Sequence, residues 1–490
     1  MLSRGFVRSR PRVTLSLVWH LLLPLGLLII LCRLVVFPND FWWHIRVGQI
    51  IAQRHTIPRV DEFSFTRAGA PWINQAWLMQ LALYVVYRLG GLPLAILAHA
   101  LIVTSGYMVV FWALRRQYDV RVSVLSVAAG AAAGVYNWSL RPQTISFLLF
   151  GILVALLEAH RRGRTRVLWW MVPLFLLWGN AHGAFTFGLV AFAVYILGYA
   201  VERRDSWPAL LTTERHVWLP GVMSLLALTV TPWGPLGLFR YVWGFFASKV
   251  TLQSNQEFLP LTLRQGDGML FFLVLSVWLF VLWRSGYRPS WDREMGVLLF
   301  VGLSLWSRRA APWFGFVLIP SLAAALDAWW HPRPVPPGRE GLNVVILGLL
   351  LLGWVVSLPW LRGRLPAPLA PARLVSETTP VAAMAYLCEH ADSTARVYQH
   401  QAFGAYQIWA CPRLKVFIDT RIELYPPSLW DDYFRLEWAR FDWEEIAGRY
   451  GITHLFLDLK EQPDLVEGAR RSPRWVEVYQ DDRAVIFRQK

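Results

Sequence analysis

The chain has 490 residues, 56% hydrophobic and only 16% charged, with 28 Trp and 28 Phe and a mean hydropathy of +0.38, a composition outside that of soluble globular proteins. Its formal charge of +16 does not describe a nucleic-acid surface, because the arginines form short clusters between apolar runs rather than one basic face; membrane lipids and the positive-inside rule account for them. Three cysteines exclude a disulfide framework, and since Cys32 lies inside an apolar run, at most Cys388 and Cys411 can pair.

A basic lead, MLSRGFVRSRPR, precedes apolar residues from about Val13 to Val36. The run is too long for a signal-peptide core and lacks a small-x-small cleavage site, so it predicts a retained anchor. From Phe37 to Gly91 the chain is amphipathic. DFWWHIRVGQIIAQR and NQAWLMQLALYVVYRL mix aromatic and polar positions at helical spacing around a turn-rich connection, which predicts two helices lying at the membrane interface in a first outer loop over residues 37–91. Further apolar runs follow at Leu92–Leu114, Val122–Leu140, Thr144–Glu158, Val167–Asn180, Phe185–Val201, Val217–Val230, Met269–Trp283, Met295–Trp306, Ala310–Leu326 and Leu342–Leu361. With the first, they predict about eleven crossings of a hydrocarbon core about 30 Å thick.

Placing the N-terminus in the cytoplasm puts Arg115, Arg116 and Arg121, then Arg161, Arg162, Arg164 and Arg166, then Arg203 and Arg204, then Arg284, Arg288 and Arg293 on the inner side. The alternate connections, NWSLRPQ, NAHGAF, TPWGP with the long stretch after it, and SRRAAPW, then emerge outside together with Asp40. An odd number of spans also sends the tail outside. Residues 1–361 therefore read as a transmembrane domain, 362–378 as a linker and 379–490 as a small extracytoplasmic α/β domain. In that domain PVAAMAYLCEH reads as a helix and Leu429 to Tyr450 as mostly helical. ARVYQH, GAYQIWA, LKVFID and ITHLFLDL read as strands, and WVEVYQDDRAVIFRQ as a closing hairpin.

Ionisable groups at one membrane face are the candidates for function. Asp40 is placed either to cap the helix that follows it or to act on a substrate. His44, four residues on, shares its helix face and suits a hydrogen bond with Asp40 or a divalent metal ion held by both. Asp61, Glu62 and Glu257 are further candidate acids. Arg141, His182, Arg308 and Arg309 end spans on the outer side, where they suit a phosphate or, alternatively, lipid headgroups. No Walker loop, dinucleotide glycine run, zinc-ligand spacing or Gly-x-Ser-x-Gly elbow is present.

A first span followed by an acid in "ND", then GQIIAQRHTIP, GAPWINQAW and LYVVYRLGGLPLA, resembles the first-loop region of class C (GT-C) membrane glycosyltransferases, the group of protein O-mannosyltransferases and lipid A aminoarabinose transferases. The pattern covers about the first 115 residues, and the remainder is similar in topology. The resemblance implies a polytopic helical fold with two interfacial helices in the first outer loop and an outer C-terminal domain. It also implies a polyprenyl-phosphate-linked sugar donor, with the acid after the first span, here Asp40, acting on a glycan, lipid or protein acceptor. The family often has an Asp-Glu pair where this chain has Asn39, Asp40 and Phe41, which leaves metal dependence and acceptor type open. VFIDTRIELY in the tail is similar to a segment of bacterial membrane proteins of the same build and implies no substrate. The sequence thus predicts an inverting, multi-pass glycosyltransferase of the inner (plasma) membrane. The alternative is a non-catalytic transporter or lipid flippase, for which polar residues at mid-membrane in paired halves are expected instead.

Overall fold

Where water is absent the backbone must satisfy its own polar groups, so each apolar run closes into a helix. The computed structural model describes residues 12–203, 212, 214–247, 256–366 and 373–490. The basic lead up to residue 11, Arg204, and parts of the long outer stretch and of the linker lie outside the described residues. The helices are α1 (Leu15–Cys32), α2 (Phe41–Arg54), α3 (Trp77–Leu114), α4 (Val120–Gly134), α5 (Thr144–Arg161), α6 (Met171–Ala181), α7 (Phe185–Glu202), α8 (Arg215–Leu228), α9 (Gly234–Ala247), α10 (Gly266–Ser285), α11 (Trp291–Trp306), α12 (Ala311–Trp330) and α13 (Glu340–Ser357).

Among the described residues, eight helical segments are long and apolar enough to cross a membrane. The remaining expected spans, α6, α8 and α11, are shorter, with 11, 14 and 16 residues. Helix α3 breaks at Gly90 and at Gly91, whose φ of 64° and ψ of −161° suit a residue without Cβ. The break separates the second helix of the first loop from the span that begins at Leu92. Small residues let the helices close on one another: a Cβ on Gly151 of α5 would stand 2.2 Å from the Gly106 carbonyl oxygen of α3, and one on Gly315 of α12 would stand 2.1 Å from that of Gly130 on α4.

At the face away from the first loop, Glu158 is fully buried. It pairs with Arg161, and with Arg293 at 3.2 Å; Arg161 also reaches Asp292 at 2.7 Å. These two arginines therefore hold helices together rather than meeting headgroups, because a buried carboxylate needs charged partners close by.

The C-terminal domain carries α14 (Val381–His390), β1 (Val397–Gln399), α15 (Gln401–Ala410), α16 (Pro427–Glu437), α17 (Trp443–Tyr450), β2 (His454–Asp458), α18 (Pro463–Arg471), β3 (Trp475–Gln480) and β4 (Ala484–Gln489). The strands form one sheet in the order β1-β2-β4-β3, parallel between β1 and β2 and antiparallel elsewhere. Two strand assignments need correction. GAYQIWA is helix α15, with Phe403, Gly404, Ala405, Gln407 and Ile408 buried at helical spacing; its aromatic and branched residues serve helix packing. LKVFID is extended but forms only isolated bridges, from Val416 to Ser64 and to Val397.

Cys388 and Cys411 are disulfide-bonded, tying α14 to the end of α15. Replacing both with Ser is expected to lower the stability of this domain by about 3 kcal/mol, through a freer unfolded chain. Thermal unfolding followed by tryptophan fluorescence measures this, and an unchanged transition would mean that the bridge contributes nothing.

The domain sits on the first loop. Val416 N–H donates to the Phe63 carbonyl at 3.0 Å, and Phe65 N–H to the Val416 carbonyl at 3.1 Å. Val36 pairs in the same way with the linker at Val375. Trp43, Val47, Ile50, Phe63 and Trp72 share one apolar core with Tyr398, Ile408, Val416 and Ile418. Helix α2 is therefore covered by protein on the side where lipid or water was expected. Trp42 and Trp43 are core residues, with N–H groups donated to the Phe37 carbonyl and to Thr420, rather than a membrane-interface belt.

Candidate active site

The connections after α1, α4, α6, α9 and α11 converge beneath the C-terminal domain around a cavity of about 670 Å³. Asp40, Arg141, His182, Glu257 and Arg309 all line it. These are the loops that the alternation of arginines assigns to one side.

Asp40 stands at the N-terminus of α2, yet its side chain makes no capping bond. The carboxylate instead faces Arg141, with Oδ2 3.5 Å from Nη1, and Oδ1 lies 3.4 Å from the Trp43 indole nitrogen. That indole N–H points mainly at Thr420 Oγ1, 3.0 Å away. Asp40 is about a quarter exposed, at 26%, so it is held in place but open to a substrate.

Arg141 is shared between Asp40 and Glu257, whose Oε1 is 2.5 Å from Nη1; Glu257 Oε2 lies 3.9 Å from Arg309. Burial works against the charge on Arg141, but Glu257 and Asp40 outweigh it and raise its pKa. Burial likewise raises Glu257, and Arg141 and Arg309 more than compensate, holding it below its ordinary value. Across this cluster two guanidiniums, Arg141 and Arg309, face two carboxylates, Asp40 and Glu257, so its charges balance.

Two histidines are fixed as neutral donors by their partners. His182 Nδ1 accepts from Ala184 N–H at 3.2 Å and lies 3.0 Å from Ser146 Oγ, which itself accepts from Trp178. His44 Nδ1 lies 3.0 Å from Gln80 Nε2, and Gln80 Oε1 accepts from Asn74. In both rings the proton is thereby assigned to Nε2. Burial pushes both well below the ordinary imidazole value, with Arg309 and Arg141 acting further on His182, and His182, Arg141 and Arg421 on His44.

A second cavity, about 330 Å³ and lined mainly by apolar side chains of α7, α11 and α12, opens against the first. Gln143, His182, Tyr241 and Arg309 belong to the walls of both. A polar chamber thus meets an apolar groove at a cation, an imidazole N–H and an amide.

Comparison with solved structures follows this build. ArnT from Cupriavidus metallidurans bound to undecaprenyl phosphate is 15% identical, with 96% of this chain and 97% of that chain covered and a TM-score of 0.52. The chain has the GT-C fold. The archaeal oligosaccharyltransferase AglB from Archaeoglobus fulgidus, in complex with an inhibitory peptide and a dolichol-phosphate, is 12% identical, with 90% of this chain and 69% of that chain covered and a TM-score of 0.56. The arabinofuranosyltransferase AftD from Mycobacteria is 15% identical with a TM-score of 0.52, and here 96% of this chain matches 41% of that chain. No family model and no curated protein matches the sequence.

Within this GT-C fold several sequence candidates lie elsewhere. Arg308 turns away from both cavities, onto Gln265 and, at 3.4 Å, Asp267. Adjacent residues at a span end point in different directions, so a doubled arginine delivers only one side chain to the chamber. Glu62 pairs with Arg54 at 2.7 Å on the surface. Asp61 is buried under the domain, accepting from Phe63 N–H, Ser64 and Arg421. His44 lines the chamber, but its Nδ1 is engaged by Gln80 while Asp40 faces Arg141. Among the described residues no three His, Cys, Asp or Glu side chains are grouped to hold a metal ion.

The sequence reading also missed residues. Gln143 is 2% exposed, with both amide atoms unpartnered at the junction of the cavities. His400, Arg421, Glu423 and Arg483 of the C-terminal domain line the opposite wall. Gln143 follows Arg141 in SLRPQ, and the alternation in VFIDTRIELY was visible. Nothing in one sequence brings that tail to the first loop.

Proposed function

We propose that this protein transfers a sugar from a polyprenyl-phosphate-linked donor to an acceptor hydroxyl at the outer face of the membrane. The support is the junction at Gln143, His182, Tyr241 and Arg309, where an apolar groove suited to a prenyl chain meets a polar chamber containing Asp40. The solved structures with the same fold include one bound to undecaprenyl phosphate and one in complex with a dolichol-phosphate.

In this reading the donor phosphate lies at Arg309 and Arg141, with the His182 Nε2–H as a further donor. The acceptor oxygen attacks the anomeric carbon from the side opposite the phosphate, and Asp40 takes its proton as the bond forms. The carbon–oxygen bond to phosphate breaks, and the lipid phosphate leaves as an anion stabilised by fixed cations in a cavity poor in water. A single displacement inverts the anomeric centre.

Mass spectrometry of polyprenyl-phosphate sugars and envelope glycans, with and without the protein, tests this. Accumulated lipid-linked sugar and a missing glycan in its absence are expected. A change in leaflet distribution of the lipid with no lost product would favour a carrier.

The same reading places the N-terminus in the cytoplasm and residues 379–490 outside a plasma membrane. Reporter fusions after Arg121 and Arg164 are expected to give inside signals and a fusion after Lys490 an outside signal. An inside signal from the last would reverse the assignment.

A further inference from the structure

VFIDTRIELY takes no part in the donor chemistry, yet it builds the wall of the chamber facing away from the membrane: Thr420, Arg421, Ile422 and Glu423 all line it. Arg421 is 1% exposed. Its Nη2 donates to Asp61 Oδ1 at 2.7 Å and to Asp419 Oδ2 at 2.6 Å, and its Nε to Asp419 Oδ1 at 2.9 Å. The guanidinium lies 4.9 Å from the Trp72 ring centre and 5.0 Å from that of Phe63. Every feature around it fixes its orientation, and Nη1 alone is left without a partner. A buried donor left unmatched is costly, so its retention at a cavity wall points to a ligand.

We propose that Thr420, Arg421 and Glu423 form the acceptor subsite, and that the acceptor presents uncharged sugar hydroxyls there; this rests on the transferase reading above. Charge decides the class. One guanidinium against the carboxylates of Asp61 and Asp419 leaves that cluster with one excess negative charge, and Glu423, exposed in the chamber, adds another. An anionic acceptor group meets net repulsion here, whereas at the opposite end Arg141 and Arg309 balance Asp40 and Glu257. A hydroxyl fits both partners, because it accepts from Arg421 Nη1 and donates to Glu423. A chamber of about 670 Å³ is roomier than a lone Ser or Thr side chain requires, and a sugar supplies several hydroxyls at once. Position agrees as well: Thr420 Oγ1 takes the Trp43 N–H, the same group that stands beside Asp40, so a hydroxyl held at this wall is next to the proposed base.

The test uses the full chain in lipid nanodiscs and saturation-transfer NMR, with methyl glycosides of common hexoses compared against hexose phosphates and against a Ser/Thr peptide. The neutral glycosides are expected to bind in preference to both. Glu423→Gln, at a site open to the chamber, is expected to weaken glycoside binding about tenfold and to leave undecaprenyl phosphate binding unchanged. Arg421→Lys, which keeps the charge between Asp61 and Asp419, is expected to show the same loss with thermal unfolding preserved. A preference for hexose phosphates or peptide, no glycoside binding, or glycoside binding unaltered in Glu423→Gln would overturn the assignment. Undecaprenyl phosphate binding by the unaltered protein, measured in the same discs, reports on the transferase reading separately.

Discussion

Asp40→Asn is expected to reduce sugar transfer by about 10²- to 10⁴-fold, the range contributed by a positioned general base, while expression and undecaprenyl phosphate binding persist. The substitution preserves size, and because the Asp40 side chain makes no capping bond, α2 loses nothing by it. Oδ2 faces Arg141 and Oδ1 the Trp43 indole, so Asn can keep its one oxygen toward Arg141 and gives up the 3.4 Å indole contact, whose N–H Thr420 already accepts. The ability to take a proton disappears together with the charge facing Arg141, and the loss should fall on kcat more than on donor KM. Initial rates in membranes with a lipid-linked donor measure it. A near-normal rate would transfer the role to Glu257, Glu423 or Glu461, the other carboxylates that line the chamber; Asp61 and Glu62 are excluded by their placement under the domain and on the surface.

Arg309→Gln is expected to lower transfer about 10²- to 10³-fold, the loss typical of removing one fixed donor from a developing anion, and to weaken undecaprenyl phosphate binding measurably. Arg308→Gln serves as the internal comparison. Its guanidinium is held by Asp267 and Gln265 outside both cavities, so its effect should stay within about twofold, as for surface substitutions generally. Equal losses from the two variants would mean that the phosphate lies elsewhere, and normal transfer by Arg309→Gln would remove that residue from the site. A structural collapse is distinguishable because it would also shift thermal unfolding.

Much of this was legible along the chain because the membrane imposes one-dimensional rules. Apolar runs of sufficient length must become helices, and alternating arginine clusters must fall on one face. Those two rules were enough to place Asp40, Arg141, His182, Glu257 and Arg309 on one side, and all five line one chamber. The same rules could not separate Arg308 from Arg309, since which neighbour turns inward depends on the partners across the gap. They also placed DFWWHIRVGQIIAQR at the membrane interface, whereas Trp43 packs in a core shared with a domain beginning more than three hundred residues later.

The sequence by itself located the apolar helices and the acid at the end of the first one, because these follow from local hydrophobicity and charge. Only the tertiary structure decided that GAYQIWA is a helix, that Arg161 and Arg293 serve the buried Glu158, and that Asp61 holds Arg421 rather than meeting substrate. The helix follows from the packing of its buried face, and the other two outcomes from the need of a buried charge for a close partner supplied by a distant segment, neither of which is written in the neighbours along the chain.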